Sequence, residues 1–176
     1  MASFRGMAAL ILLVSGLAGP AGAAQPEPLP NGGRPVEKVA FPAIADWSSL
    51  KIGLQRTACY YRACPAYKLE IAGDGTVTYE GRAFVALTGK HVGHISPEAV
   101  RGLFDAFAKA DFFWTLDRNR ARMTEQSTFT VTIAFDGHSK QVVDYLGRTI
   151  GMPAEITELE AAIDAAVATA QWEKPE

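Results

Sequence analysis

The sequence predicts an α+β fold in which an antiparallel sheet of hairpins carries two helices on one face. Two pairs of segments alternate apolar and polar residues around a Gly/Asp turn, which is typical of β-hairpins with one buried face. Two other segments repeat apolar residues at helical spacing. The turns lie at Gly73–Gly75 and Asp136-Gly137, and the helices are expected to begin near Pro97 and Pro153.

The first hairpin is predicted to close with a three-residue loop, residues 73–75. That register places Ile71 opposite Val77, so that large apolar side chains share one face of the sheet. It likewise places Leu69 opposite Tyr79. The last glycine of the loop supplies the left-handed conformation that such a turn requires.

The same reasoning predicts a three-residue loop, residues 136–138, in the second hairpin. Val131 is then expected opposite Val143, and His138 takes the left-handed position. In this register Asp144 belongs to a solvated face of its strand. Asp74 and Asp136 are interpreted as turn residues, because aspartate favours turns.

The remaining elements follow from local signals. Residues 51–57 alternate as a first strand, and short strands are expected at residues 84–87 and 91–95. Ser96 caps the first helix, which is expected to end near Ala110. Residues 111–123 are expected to be irregular. The order strand–turn–strand–helix occurs twice with a shift of about 62 positions, which suggests an internal ββα duplication.

The N-terminus predicts export. Arg5 precedes the apolar run of residues 7–17, and small residues follow at 21–24, as in a secretory signal peptide over residues 1–23. Residues 24–45 are rich in proline and read as a disordered tether. Residues 46–170 form a single domain, and 171–176 form a tail. The mature protein is expected to be periplasmic or secreted, with no membrane anchor after cleavage.

Composition excludes several classes of function. The chain has 176 residues, 48% of them hydrophobic, and a formal net charge of −2, so nothing indicates nucleic-acid binding. There is no Gly-x-Ser-x-Gly elbow, no phosphate-binding glycine loop and no His-Glu-x-x-His helix. His91 and His94 are the only histidine pair, and their spacing is a weak metal signal. No catalytic residue, metal or cofactor is therefore predicted.

Two cysteines, Cys59 and Cys64, are the whole cysteine content of the chain. In an oxidising compartment two cysteines this close most often form a structural disulfide, which requires the loop between them to turn back. The alternative is a thiol–disulfide redox protein. Residues after Cys64 alternate like a strand, however, so no helix dipole is available to lower a thiol pKa.

Candidate binding residues are few. Three arginines form the one local concentration of charge and suit an anionic ligand or an acidic partner protein. Two tyrosines on the cysteine loop are typical of contact surfaces. These candidate residues are Arg118, Arg120, Arg122, Tyr60 and Tyr61.

Three strings carry a family resemblance. They are RTACYYRACPAYKLEIAGDGTVTYEG (56–81), ADFFWTL (110–116) and YLGRTIGMPAEITELEAAID (145–164). Together they resemble the uncharacterised family called domain of unknown function 6438, over roughly residues 52–167. The resemblance implies the fold and export, and it implies no activity. The leading hypothesis is therefore a non-catalytic exported binding module with a Cys59–Cys64 disulfide, and the alternative is the redox protein.

Cleavage of the signal peptide is directly measurable. The intact mass of exported protein is expected to place the mature N-terminus near Ala24 or Gln25, because the small residues just before them suit signal peptidase. Exported protein that retains Met1 would contradict this assignment.

Overall fold

The computed structural model describes residues 40–60 and 62–173. The predicted signal peptide, most of the tether, Tyr61 and the last three residues lie outside this part of the chain. Within it, no helix is long and apolar enough to cross a membrane.

The fold is α+β, as predicted, with one eight-stranded sheet and two helices. The strands are β1 (Lys51–Arg56), β2 (Ala66–Ala72), β3 (Thr76–Ala83), β4 (Gly89–His94), β5 (Arg118–Arg120), β6 (Phe129–Phe135), β7 (His138–Tyr145) and β8 (Gln171–Trp172). The helices are α1 (Pro97–Lys109) and α2 (Ala154–Ala168). The sheet order is β5-β7-β6-β1-β2-β3-β4-β8, and every pairing is antiparallel except β5 with β7.

Strand β1 joins the two hairpins. It pairs with β2 on one side and β6 on the other, so Ile52 lies opposite both Ile71 and Ile133. The two hairpins lie on opposite sides of β1, with β3 beyond β2 on one side and β7 beyond β6 on the other. Rotating one hairpin onto the other would therefore turn its core face outward. The geometry therefore does not support a duplication. The shift of about 62 positions arises because β2 and β6 pair with β1 in the same register, so that Ile71 and Ile133 both lie opposite Ile52.

The first hairpin has the predicted register. Ile71 pairs with Val77 and Leu69 with Tyr79. Gly75 has φ +90°, the left-handed conformation that the three-residue loop requires. The carboxylate of Asp74 accepts a hydrogen bond from the Thr76 backbone N–H at 2.8 Å, which confirms its role in the turn.

The predicted register of the second hairpin is wrong. Val131 pairs with Val142, not with Val143, because Asp136 (φ 46°) and Gly137 (φ 78°) form a two-residue loop. Two consecutive positive φ values give the turn whose twist matches the flanking strands, and Asp-Gly is a preferred sequence for it. His138 is simply the first residue of β7.

Contacts of the Asp136 side chain reinforce this turn. Its carboxylate accepts hydrogen bonds from the backbone N–H of Ala45 at 2.5 Å and from the Ser49 hydroxyl at 2.9 Å. These bonds hold the pKa of Asp136 below its usual range, with the Ala45 bond the leading cause. Residues 40–45, expected in the tether, thus pack on the domain, and Phe41 contacts Phe104 and Phe135.

Both helices follow their predicted starts and pack on one face of the sheet. Ser96 caps α1 by accepting the Ala99 N–H at 3.2 Å, and α1 ends before Ala110. The buried faces of the helices share one core cluster with the inward residues of β1, β2, β3 and β6. The inward residues of the helices are Val100, Leu103, Phe104, Phe107, Ile156, Leu159, Ile163 and Val167.

Three local predictions fail. Residues 84–87 are a bent connection between β3 and β4, not a strand. The segment 111–123 contains β5, which pairs with β7 at the sheet edge, and the expected tail contains β8. The two missed strands have three and two residues, too few for a period-two pattern to show.

The two hairpin glycines give a matched test of the fold. Gly75→Ala and Gly137→Ala each place a side chain at positive φ, which costs about 1 kcal/mol. A Cβ at Gly75 would also overlap the Ile95 carbonyl oxygen, whereas space is open at Gly137. Chemical denaturation is expected to show a loss of about 1 kcal/mol for Gly137→Ala and at least about 2 kcal/mol for Gly75→Ala. Equal losses would contradict the close approach at Gly75.

Candidate functional site

The cysteine loop begins where β1 ends. Its first residue, Thr57, donates its N–H to the Thr128 carbonyl at 3.0 Å, and its hydroxyl accepts the Thr128 N–H at 2.9 Å. Cys59 and Cys64 form the predicted disulfide, with their Cα atoms 5.6 Å apart. Ala66 then starts β2, so a strand follows the second cysteine. The loop is therefore closed at its base by the disulfide and held beside the chain that leads into β6.

A groove of about 560 Å³ lies beside this loop, and we call it the disulfide groove. It joins the cysteine loop to the far edge of the sheet, because the parallel pairing of β5 with β7 places Arg120 opposite Tyr145. The Arg120 guanidinium carbon lies 4.5 Å from the centre of the Tyr145 ring. The lining residues are Ala58, Cys59, Tyr60, Arg120, Thr124, Glu125, Gln126, Thr128 and Tyr145.

The structure brings together only some of the candidate binding residues. Tyr60, whose side chain is 78% exposed, and Arg120 both line the disulfide groove. Arg118 shares the exposed face of β5 with Arg120, because residues two apart in a strand point the same way. Arg118 and Arg122 are exposed and do not line the groove. In residues 40–60 and 62–173, none of the three arginines has a carboxylate within ion-pair distance.

A second polar cluster lies between the sheet and α2, and the sequence analysis missed it. Asp144, predicted to be solvated, is buried, because the two-residue turn places it on the core face opposite Phe129. Its carboxylate accepts the Gly147 N–H at 2.6 Å. Glu160 and Asp164 reach the cluster from α2, and Asp164 accepts a 2.5 Å hydrogen bond from the Tyr67 hydroxyl.

Burial dominates the electrostatics of this cluster. It raises the pKa of Glu160 to about 8, with the Asp144 and Asp164 charges adding to the effect and Arg56 opposing it. Burial likewise raises the pKa of Asp144 and of Asp164. Glu160 is 4% exposed, and its Oε1 has no hydrogen-bond partner in the described part of the chain. The carboxyls therefore favour their neutral forms more than exposed carboxyls do.

One sequence signal could have located this cluster. Glu160 follows Ile156 by four residues and Asp164 follows Glu160 by four, so all three lie along one stripe of α2. Because Ile156 belongs to the apolar face, both acids had to turn toward the sheet.

The two strand histidines do not converge on a metal. His91 and His94 are three residues apart in β4, so their side chains point to opposite faces of the sheet. The His91 ring lies 2.9 Å from the Thr88 carbonyl oxygen, and that of His94 lies 3.3 Å from the Glu173 carboxylate. Across the described residues no group of three metal-ligating side chains is present.

The fold and site define a small α+β domain with a disulfide-closed loop at the end of its central strand. Residues 50–167 match the family described as domain of unknown function DUF6438, and the chain belongs to that family. A comparison with curated proteins finds no significant match.

Removing the buried acid gives a pH-dependent prediction. A carboxyl whose pKa is raised on folding destabilises the native state increasingly as pH rises from its unfolded value of about 4.5 to its folded value of about 8. Glu160→Gln is therefore expected to lie close to wild type near pH 5 and to exceed it by roughly 3–4 kcal/mol near pH 8. Denaturation across this range measures it.

The matched control is Glu158→Gln, which removes an exposed acid from the same helix. This variant is expected to follow the pH profile of wild type. A Glu160→Gln profile parallel to wild type would contradict the raised pKa.

Proposed function

We propose that this protein is a small exported binding module without catalytic activity, and that the disulfide groove binds an anionic ligand or an acidic segment of a partner protein. One observation carries the proposal. Tyr60 and Arg120 are 60 positions apart in sequence, yet they line the same groove. Tyrosine and arginine are the residue types that binding surfaces use most often as anchors.

The charge on the groove supports an anionic ligand. Arg120 is exposed and stacks on Tyr145, which orients its guanidinium and leaves its N–H donors available. Arg118 adds a second positive charge on the same face of β5. Guanidinium groups bind carboxylate and phosphate through paired hydrogen bonds. Glu125 is the one acid that lines the groove and balances the charge of Arg120, so the positive charge of Arg118 on the same face of β5 tips the local balance toward an anion.

Export is part of the proposal and rests on two supports. The N-terminal sequence has the layout of a signal peptide, and disulfides persist in oxidising compartments. A periplasmic or secreted location accounts for both.

The redox alternative uses the same two cysteines. Redox-active cysteines commonly lie at a helix N-terminus, where the dipole lowers the thiol pKa. Here a strand, β2, begins two residues after Cys64, and neither described α-helix begins next to a cysteine in the sequence. Thiol titration of native protein separates the two functions, because a permanent disulfide offers no thiols and a redox protein equilibrates with glutathione.

Binding of a hexaglutamate peptide tests the groove. Calorimetry is expected to show binding that weakens with added salt, since the attraction is between exposed charges. Arg120→Gln is expected to weaken it about tenfold, because a hydrogen bond to a charged group contributes roughly 1.5–3 kcal/mol.

The matched control is Arg101→Gln. Arg101 is also exposed and also stacks on an aromatic ring, that of Trp47 at 5.0 Å, but it lies on α1. This variant is expected to retain wild-type affinity. Equal losses in both variants, or no binding by wild type, would contradict the groove as the site.

A further inference from the structure

A second cavity, separate from the disulfide groove, opens beside the C-terminal half of α2. We call it the α2 cleft. Its volume is about 400 Å³, within the range of small-molecule sites. The lining residues are Arg56, Pro65, Tyr67, Leu69, Tyr79, Phe84, Val85, Ala86, Leu87, Asp164, Val167, Ala168 and Trp172. The lining is mostly apolar and aromatic, with two charged side chains.

Three aromatic rings form one wall of the α2 cleft. Tyr67 and Tyr79 stack with their ring centres 5.7 Å apart, and the Trp172 ring meets Tyr79 edge-on at the same distance. Strand β8 places Trp172 opposite Gly93. A Cβ at Gly93 would lie 2.7 Å from the indole ring, so the glycine makes room for the tryptophan.

A carboxylate lies beside this wall. Asp164 is half-buried, and its Oδ1 accepts the Tyr67 hydroxyl. Its Oδ2 accepts no hydrogen bond from the part of the chain that the structure describes. This oxygen is also not one of the fully buried polar atoms that lack a partner there. One acceptor of Asp164 is thus left for a ligand in the cleft.

Acidic side chains outnumber basic ones at this end of α2. Glu160 lies one turn before Asp164 on the same stripe of α2, and Asp144 acts on Glu160 from β7. Arg56 is the one cation that acts on them among the described residues. Its guanidinium lies over the Phe129 ring at 4.8 Å, and Phe129 belongs to the strand on the side of β1 away from Tyr79 and Trp172. Arg56 therefore lines the cleft on the Phe129 side, and Asp164 is the charged group that acts on Tyr79 in the aromatic wall.

The connection between β3 and β4 adds an exposed ring to the cleft. Phe84 is 61% exposed and has φ +53°, a conformation that is uncommon for a bulky residue. Such backbone strain concentrates at ligand-binding positions. Val85 and Leu87 continue the apolar lining from the same connection.

We propose that the α2 cleft binds a small organic ammonium compound with an apolar body. The ammonium group lies against the Tyr79 and Trp172 rings and bonds Asp164 Oδ2, while the apolar body contacts Val167 and Leu87. Aromatic rings attract cations through their faces, and a nearby carboxylate adds a charge-assisted hydrogen bond. The inference does not depend on the disulfide groove, which shares no lining residue with the α2 cleft.

Three probes that share one phenyl body test the charge preference. They are phenethylammonium, the neutral phenethyl alcohol and the anionic 3-phenylpropionate. Each is titrated to about 20 mM, the weak limit expected for ligands of this size, while NMR follows the Trp172 indole N–H. Phenethylammonium is expected to shift this signal saturably and to bind at least about fivefold more tightly than the alcohol.

Asp164→Asn tests the carboxylate. It keeps the size of the side chain and is expected to weaken phenethylammonium at least about tenfold while leaving the alcohol unchanged. Asp105→Asn, which removes an exposed acid from α1, is the matched control and is expected to bind as wild type does. Melting curves check that both variants are folded.

The proposal is overturned by any of three results. Tightest binding of 3-phenylpropionate would mean that Arg56 selects an anion instead. Equal binding of all three probes would make the cleft a neutral apolar site. No shift of the Trp172 signal with any probe would leave the cleft without this function.

Discussion

The structure depends on strand β1 more than on any other element. Every residue of β1 has partners on both sides, β2 on one and β6 on the other, so its hydrogen bonds hold the two hairpins in one sheet. Without it the sheet would divide into two halves, each with an unpaired edge. Its inward residues Ile52 and Leu54 are fully buried, so the same strand also carries the middle of the core under both helices. The helices share one face because β1 makes the sheet continuous.

The end of β1 also organises both candidate sites. Arg56, its last residue, lines the α2 cleft. In the cysteine loop that follows, Cys59 lines the disulfide groove, and Pro65 on the returning side lines the cleft. The loop therefore lies between the α2 cleft and the disulfide groove. The disulfide there restricts the loop, which would limit the conformational entropy lost on binding at either proposed site.

The buried acids under α2 follow from the two-residue turn of the second hairpin. That turn moves Val142 and Asp144 onto the core face, where Asp144 acts on Glu160. The cost follows from the raised pKa values of these carboxyls and from the Glu160 oxygen, which has no hydrogen-bond partner among the described residues. Tyr67 offsets part of it with its hydrogen bond to Asp164. A polar layer at one end of the core is thus maintained beside the cleft, at some cost in stability near neutral pH.

The sequence by itself determined the fold class, the first hairpin with Ile71 opposite Val77, both helices and the disulfide. Those features rest on local periodicity, caps and turn residues, which a single chain shows directly. Only the tertiary structure decided the second register, because the apolar pairing argument competed with the turn geometry of Asp136-Gly137 and lost. The tertiary structure alone also placed Arg120 in the same groove as Tyr60, and Trp172 beside Tyr79. Strands of two and three residues take their positions from the neighbours they pair with, and such pairing between distant segments leaves no local pattern in the sequence.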